Sequence, residues 1–218
     1  VDFAVRINGI TKAFPRVVAS DNVSLDIRQG EVHALVGENG AGKTTLMNIL
    51  YGLVRPDAGE ITMDGISLPV AAGFLGLTYR IGMIHQHFML IGQFTVLENI
   101  VLGAEPRRGL LLDKRSARAK VERLMKEYGI EVDPDRRVDD LSVGEEQRVE
   151  ILKVLYRDAR IIIMDEPTSV LTPQEAANLF STMRTLTKAG RTVIFITHKL
   201  EEVMEVADTV TVMRAGHV

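Results

Sequence analysis

The sequence predicts an α/β fold, and three observations carry that prediction. Strand-like and helix-like patterns alternate along the chain. Two short, unbroken apolar runs, residues 161–164 and 193–197, are rich in β-branched side chains and read as parallel strands buried on both faces. Between them lies a segment that starts, runs and stops as a helix, so strand, helix and strand make one crossover unit. A chain of 218 residues suffices for one large domain, and 46% hydrophobic against 25% charged residues allow a packed core rather than a disordered chain.

Each element has its own signals. Residues 4–8, 23–28 and 61–63 read as strands, with Asp64-Gly65 as a turn. Residues 31–36 form a strand that runs into a glycine-rich turn, and a helix follows over 43–51. Residues 81–85 close a further strand. Thr95 begins a helix over 96–102, with Glu98 completing a capping box. Residues 113–128 are amphipathic, with Ala117, Val121, Leu124, Met125 and Tyr128 on one face and Gly129 as the stop. A third helix runs from near Ser142 to Tyr156. No strand pattern interrupts this stretch, so roughly residues 86–151 read as a helical insertion into the α/β core. Thr172 at N-cap, Pro173 at the first helical position and Glu175 three residues after the cap open the crossover helix. Its apolar face is Ala176, Leu179, Phe180, Met183 and Leu186, and Gly190 ends it. A last strand covers 209–213.

Composition excludes several functions. Acids number 29 and bases 26, a formal charge of −3, without the basic excess that a nucleic-acid partner would require. The absence of cysteine removes disulfides, zinc fingers, iron–sulfur clusters and thiol catalysis together. No apolar run approaches the ~18–20 residues of a membrane span. Val1-Asp2-Phe3 does not open a signal peptide. These features predict a soluble, cytosolic protein.

The chemistry is concentrated in a few motifs. Gly37-Glu38-Asn39-Gly40-Ala41-Gly42-Lys43-Thr44 matches the phosphate loop, and it falls between a strand and a helix as that loop must. Its glycines let backbone N–H groups wrap phosphate oxygens at a helix N-terminus that continues through Thr45. Lys43 can reach the β- and γ-phosphates, and Thr44 offers a hydroxyl to Mg²⁺. The run Ile161-Ile162-Ile163-Met164 ends in Asp165 and Glu166, which delivers two carboxylates to the edge where open α/β sheets bind ligands. Asp165 would face the Mg²⁺ shell, through water, and Glu166 would orient the attacking water. His198 follows the strand over 193–197 and arrives at the same edge. Gln86 closes the run over 81–85, where its amide could ligate Mg²⁺ or orient water. His85 and His87 flank Gln86 but, on an alternating strand, face away from it.

The order of the phosphate loop, Gln86, Leu141-Ser142-Val143-Gly144-Glu145-Glu146-Gln147-Arg148, Met164-Asp165-Glu166-Pro167-Thr168-Ser169 and Thr197-His198 resembles the ATP-binding cassette ATPases over essentially the whole chain. Gln86-His87-Phe88-Met89-Leu90, Thr95-Val96-Leu97-Glu98-Asn99 and residues 166–175 look most like the subunits of bacterial simple-sugar and nucleoside importers. The resemblance implies a phosphate-loop NTPase with a RecA-like core, an N-terminal antiparallel β subdomain and an inserted helical subdomain. Residues 1–218 would be one cassette, with 1–86 and 151–218 as core and 87–150 as the helical part. It also implies ATP and Mg²⁺ as ligands, hydrolysis coupled to import of a small polar solute, and a peripheral place on the cytoplasmic face of the membrane. A permease would dock in a groove near Gln86 and Leu90, with a solute-binding protein acting indirectly through it. Two cassettes would pair head to tail, so that Ser142 and Gly144 contact the γ-phosphate held by the partner, and Phe14 would stack on adenine, unless it is a core residue. Members of this group usually carry two cassettes in one polypeptide, and this chain resembles the N-terminal one. The rival within the fold is a soluble, non-transport cassette protein, whose usual coiled-coil, zinc or basic insertions this sequence lacks. A nucleotide-binding regulator without turnover is disfavoured by intact Asp165, Glu166 and His198.

Two segments depart from the family pattern. Val143 and Glu145 stand where the usual Leu-Ser-Gly-Gly-Gln signature has glycine and glutamine, and an anionic Glu145 beside ATP is unfavourable unless it is turned away. Ser142 and Glu145 also form a capping box in sequence. Thr172 stands where the family usually has Asp.

Overall fold

A computed structural model describes residues 2–68, 78–108 and 111–218. Strand β1 (Phe3–Phe14) pairs with β2 (Val17–Arg28) in a long antiparallel hairpin. After β3 (Val32–Val36) and helix α1 (Lys43–Tyr51), strands β4 (Ala58–Met63) and β5 (Ile66–Ser67) extend that hairpin into a four-stranded antiparallel sheet of order β2-β1-β4-β5. Val5 and Ile7 of β1 are fully buried while Arg6 and Asn8 are exposed, the period-two pattern of a sheet with one wet face, and a register shift between Ile7 and Ile10 returns Ile10 to the buried side. The hairpin is longer than the sequence suggests. Its far half, Lys12 to Phe14 against Val17 to Ser20, has little apolar alternation, and ladder hydrogen bonds carry it instead.

The second sheet is parallel. It joins β3 to β6 (Ile81–Ile84), β9 (Ile161–Asp165), β10 (Thr192–Thr197) and β11 (Thr209–Val212) in the order β11-β3-β10-β9-β6. Every residue of β3, β6, β9 and β10 is buried, which is why these strands read as continuous apolar runs. Leu35, Ile161, Ile163, Ile194 and Ile196 pack against α1 and the antiparallel sheet. Val32, Ala34, Ile162, Met164 and Phe195 face the other helices. His33 ties β11 to β3: Nδ1 lies 2.8 Å from Thr209 Oγ1 and Nε2 2.8 Å from Thr211 Oγ1. Burial holds its pKa below the ordinary imidazole value. The antiparallel sheet and the parallel α/β core match the fold expected from the sequence.

Between β6 and β9 come α2 (Val96–Val101), β7 (Arg107–Arg108), β8 (Leu111–Leu112), α3 (Lys114–Tyr128) and α4 (Val143–Tyr156). Two caps are those read from the sequence, since Thr95 and Glu98 form a reciprocal box, as do Ser142 and Glu145; Asp113, read as the first residue of its helix, instead caps it by accepting from Ser116 N–H. The expectation of a strand-free insertion is corrected. β7 and β8 form a small antiparallel ladder, and two-residue strands are too short to leave a period in sequence. The strand β6 is also shorter than expected, because it ends at Ile84. Residues 85–87 therefore lie beyond the pleat, and the alternation argument for His85 and His87 does not apply to them. The chain closes with α5 (Pro173–Lys188), capped by Thr172 and Glu175, and α6 (Leu200–Val206) before β11.

Helix α4 lies against β6 at a point where no side chain intervenes. A Cβ on Gly82 would fall 2.7 Å from Val154 Cβ and 3.0 Å from Ala159 Cβ. Gly82→Ala should therefore push α4 off the sheet and destabilise the chain by about 1–3 kcal/mol. The check is the urea midpoint of unfolding, which should fall with an unchanged slope.

Candidate functional site

The phosphate loop follows β3 and turns into α1. Gly40 and Gly42 have φ of 83° and 102°, a region that side-chain-bearing residues rarely enter. Two glycines are also required by crowding. A Cβ on Gly42 would meet the Ala19 carbonyl oxygen at 1.9 Å, and one on Gly37 would meet that of Met213 at 2.2 Å. Ala41 N–H donates to the Glu38 carbonyl at 3.1 Å, which closes the loop on itself. The loop thus presents Glu38, Asn39 and Gly40 to solvent, while Ala41 and Lys43 are buried. Lys43 Nζ donates to the Gly37 and Glu38 carbonyls at 2.7 and 3.0 Å, arched back over the loop. Gly42 offers α1 no side-chain cap, and the first intrahelical bond runs from Leu46 N–H to Gly42 O. The amides of Lys43, Thr44 and Thr45 precede that bond and face an anion site with the positive end of the helix.

The parallel register brings the other groups to this loop. Thr197 pairs with Val36, and Asp165 with Ile196, so the ends of β3, β10 and β9 are level. Thr44 Oγ1 donates to Asp165 Oδ2 at 3.1 Å. Burial pushes the Asp165 carboxyl pKa up, against the Thr44 hydrogen bond, and the neighbouring Glu166 charge adds to the rise. Glu166 lies at a strained φ of 45°, held by its N–H to the Ile196 carbonyl and by Ser169 N–H to its own carbonyl. Its carboxylate takes His198 Nδ1 at 3.1 Å and, more loosely, Gln86 Nε2 at 3.5 Å. Lys43, Thr44, Asp165, Glu166, His198 and Gln86 therefore form one constellation, with oxygen donors on the Thr44 and Asp165 side. Two hard oxygen ligands fit a magnesium ion that keeps most of its water.

Ser142 and Gly144 lie apart from that cluster, at the start of α4. Glu145 is turned back: one oxygen accepts from Ser142 N–H at 2.8 Å and the other pairs with Arg136 Nη1 at 2.6 Å. Hydrogen bonding from Ser142 N–H, aided by Arg136, holds the Glu145 pKa below the usual carboxylate range. Its charge is thus already compensated within the chain. Gly144 is buried against α5, where a Cβ would approach Glu175 Oε1 to 2.5 Å. The Thr172 hydroxyl donates to Glu175 Oε2 at 2.8 Å and accepts from Glu175 N–H at 3.3 Å, a local role for the residue that departs from the family pattern. Phe14 is 43% exposed at the end of β1, with Lys12 Nζ 5.5 Å from its ring centre, so it is not a core residue. The same hairpin carries Ala19 to the phosphate loop.

Downstream of Gln86 the chain is clamped to α4 and α2. Met89 N–H donates to buried Glu150 at 2.9 Å, and Lys153 Nζ donates to the Met89 carbonyl at 2.7 Å. Buried Asn99 accepts from the Ile91 N–H at 2.8 Å and donates to the Ile91 carbonyl at 3.0 Å. Beside Met89 a cavity of about 230 Å³ is lined by Tyr51, Met83, His85, Lys153 and Arg157 among others. Sequence reasoning missed these clamps and also missed Glu202, whose carboxylate takes Thr168 and Thr197. A polar residue on the buried face of a helix, as Gln147 and Glu150 are on α4, was the available signal. Glu202 gave none, because an acid in a first helical turn reads as an ordinary dipole partner.

Residues 20–169 match the family model described as ABC transporter. The chain is 51% identical over 216 residues to the nucleoside import ATP-binding protein NupA of Lactococcus lactis subsp. cremoris (strain MG1363), covering 97% of this chain and 42% of that protein. It is 50% identical over 220 residues to the guanosine import ATP-binding protein NupO of Bacillus subtilis (strain 168), covering 99% and 42%. The chain thus spans about two-fifths of the length of the curated relatives it matches. Among solved structures, the dimeric post-hydrolysis state of the ATP-binding cassette MJ0796 bound to ADP and Pi superposes with a TM-score of 0.81 at 28% identity, covering 98% of this chain and 96% of that one.

The contact between Gly144 and Glu175 has a measurable effect inside a single chain. Gly144→Asp should set a second carboxylate against Glu175 and lower the melting temperature, at a cost of about 1–3 kcal/mol from crowding alone. Adding Glu175→Ala should recover part of that loss in a thermal melt; equal melting of Gly144→Asp and its parent would mean that this face of α4 is not packed.

Proposed function

Since the chain belongs to the ABC transporter family of ATP-binding cassettes, we propose that it binds and hydrolyses ATP to energise import of a nucleoside or simple sugar through a separate membrane permease. The observation that carries this reading is the single constellation of Lys43, Thr44, Asp165, Glu166 and His198 at the level ends of β3, β9 and β10. Phosphoryl transfer needs little covalent help from a protein, so positioning and charge stabilisation are the whole task. The amides of residues 40–45 and the Lys43 ammonium would cradle the β- and γ-phosphates, with Gly37, Glu38 and Asn39 shaping the loop. Phe14 would cover the adenine. Thr44 and Asp165, with Gln86, would hold Mg²⁺, Asp165 through water. The ion when bound supplies positive charge to the phosphate oxygens. Glu166 would polarise the attacking water, and His198, already hydrogen-bonded to Glu166, would donate toward the γ-phosphate oxygens as charge accumulates there.

The same reading extends to assembly. Ser142 and Gly144 have their contacts at Glu145 and Glu175 and, among the described residues, none to the chain's own phosphate loop, which supports a head-to-tail pair in which they would meet the partner cassette's ATP. In this arrangement residues 87–150 act as the helical subdomain of one cassette spanning 1–218. The cavity beside Met89 would take a cytoplasmic segment of the permease, and a solute-binding protein would act through that permease. Among the described residues no helix is long and apolar enough to cross a membrane. Attachment to the cytoplasmic face would then depend on the permease.

Two variants test the hydrolytic reading. Glu166→Gln removes the carboxylate that polarises water and should slow phosphate release by about 100-fold or more, while ATP binding persists. It should also accumulate an ATP-bound dimer in sedimentation, and phosphate release at the parent's rate would refute the role given to Glu166. Lys43→Ala removes the charged donor on the phosphates, a loss of about 1.5–3 kcal/mol. Calorimetry should show the ATP dissociation constant rising by about 10- to 100-fold.

A further inference from the structure

We infer that Glu202 is a positioning residue for the hydrolytic step, one that fixes Glu166 and His198 relative to each other; this inference rests on the ATPase reading above. Both of its carboxylate oxygens are used. Oε1 accepts from Thr168 Oγ1 at 2.7 Å, and Oε2 accepts from Thr197 Oγ1 at 2.9 Å. Lys199 Nζ lies 3.0 Å from Oε1, and Lys199 N–H donates to Thr197 Oγ1 at 3.1 Å. Thr168 and Thr197 are 4% and 2% exposed, so neither hydroxyl has water as a ready substitute.

These contacts close a ring. Thr168 stands two residues after Glu166, and Thr197 immediately precedes His198. Glu166 and His198 touch each other at 3.1 Å across the front of the site. Glu202 joins the same two segments again, so a second side-chain link is added to the Glu166 N–H bond to the Ile196 carbonyl at 3.0 Å. The Glu166 backbone, at φ 45°, is a conformation that persists only where its surroundings over-determine it. Thr168 and Glu202 supply part of that restraint.

An ordinary capping role does not account for the geometry. Glu202 occupies the third position of α6, from which a glutamate usually reaches back to the N-cap amide. Here α6 has no side-chain cap, and the carboxylate turns instead to two threonines, Thr197 at the end of β10 and Thr168 in the turn after β9. Val203 and Val206 anchor α6 to the core, so the helix does not need Glu202 to stay in place.

The test is steady-state ATP hydrolysis by the full-length polypeptide. Glu202→Ala should lower kcat by about 10- to 100-fold, the range expected for small misplacement of reacting groups. KM for ATP should stay within about two-fold, because Glu202 touches neither the phosphate loop nor Phe14. Glu202→Gln keeps an acceptor for one threonine and should recover most of the rate. Thr168→Val, which keeps its shape and removes one hydroxyl, should give an intermediate loss of kcat at unchanged KM, and it serves if Glu202→Ala does not fold. In a His198→Ala background the further cost of Glu202→Ala should shrink to about three-fold or less, since the pair acts as a unit. A kcat within two-fold of the parent in both Glu202→Ala and Thr168→Val would overturn the inference. So would losses that multiply fully with His198→Ala. If the parent itself releases no phosphate, it is the ATPase reading that fails, and the inference falls with it.

Discussion

Everything in this molecule depends on burying both faces of a parallel sheet. β3, β6, β9 and β10 have no wet side, so no polar side chain can be displayed from the middle of a strand without a cost in desolvation. Chemistry is confined to the places where the strands stop. Because parallel strands stop at the same edge, the loop after β3, the acids that close β9 and the histidine after β10 converge without any long-range loop having to search for them. Asp165 marks the boundary: it is the last residue of β9, buried enough for its pKa to rise, yet it reaches the Thr44 hydroxyl.

Helix α4 links that edge to the rest of the protein. Its first turn carries Ser142 and Gly144. One turn on, buried Gln147 donates to the Pro167 carbonyl at 2.8 Å, directly after Glu166. Further along, Glu150 takes the Met89 N–H and Lys153 the Met89 carbonyl beside the cavity. A single rigid element thus touches three places: the segment proposed to meet a partner nucleotide, the segment proposed to activate water and the groove proposed to receive the permease. Helices that are fully hydrogen-bonded along their length transmit displacement rather than absorb it, which makes α4 suited to coupling these sites.

How much of this was legible in sequence follows from the range of each interaction. Thr95 with Glu98, Ser142 with Glu145, and Thr172 with Glu175 are contacts across three residues, and their pattern predicts the helix starts that form. Lys43 and Asp165 were legible because the strand before each is a short apolar run and the residue types are chemically specific. Glu202 was not, since its partners lie 34 and 5 residues away and only the register of β9 beside β10 brings them together. The packing of Gly144 on Glu175 is hidden for the same reason. The β7–β8 ladder escaped because two residues cannot establish a period, and the end of β6 at Ile84 because an apolar run does not mark its own last hydrogen bond.

The walls of the phosphate loop are backbone. Gly37 is pressed by the Met213 carbonyl and Gly42 by that of Ala19, two oxygens from opposite ends of the chain. Every amino acid carries such an oxygen, so these two closest contacts do not depend on which side chain occupies positions 19 or 213, although Met213 Cε adds a wall 3.0 Å from a Cβ on Gly42. The tolerance is one-sided: substitutions can accumulate in the mould while the two cast positions admit hydrogen alone. Drift in this protein should therefore leave glycine at 37 and 42 long after their neighbours have changed, and the shape of the loop would be inherited through the fold rather than through the letters around it.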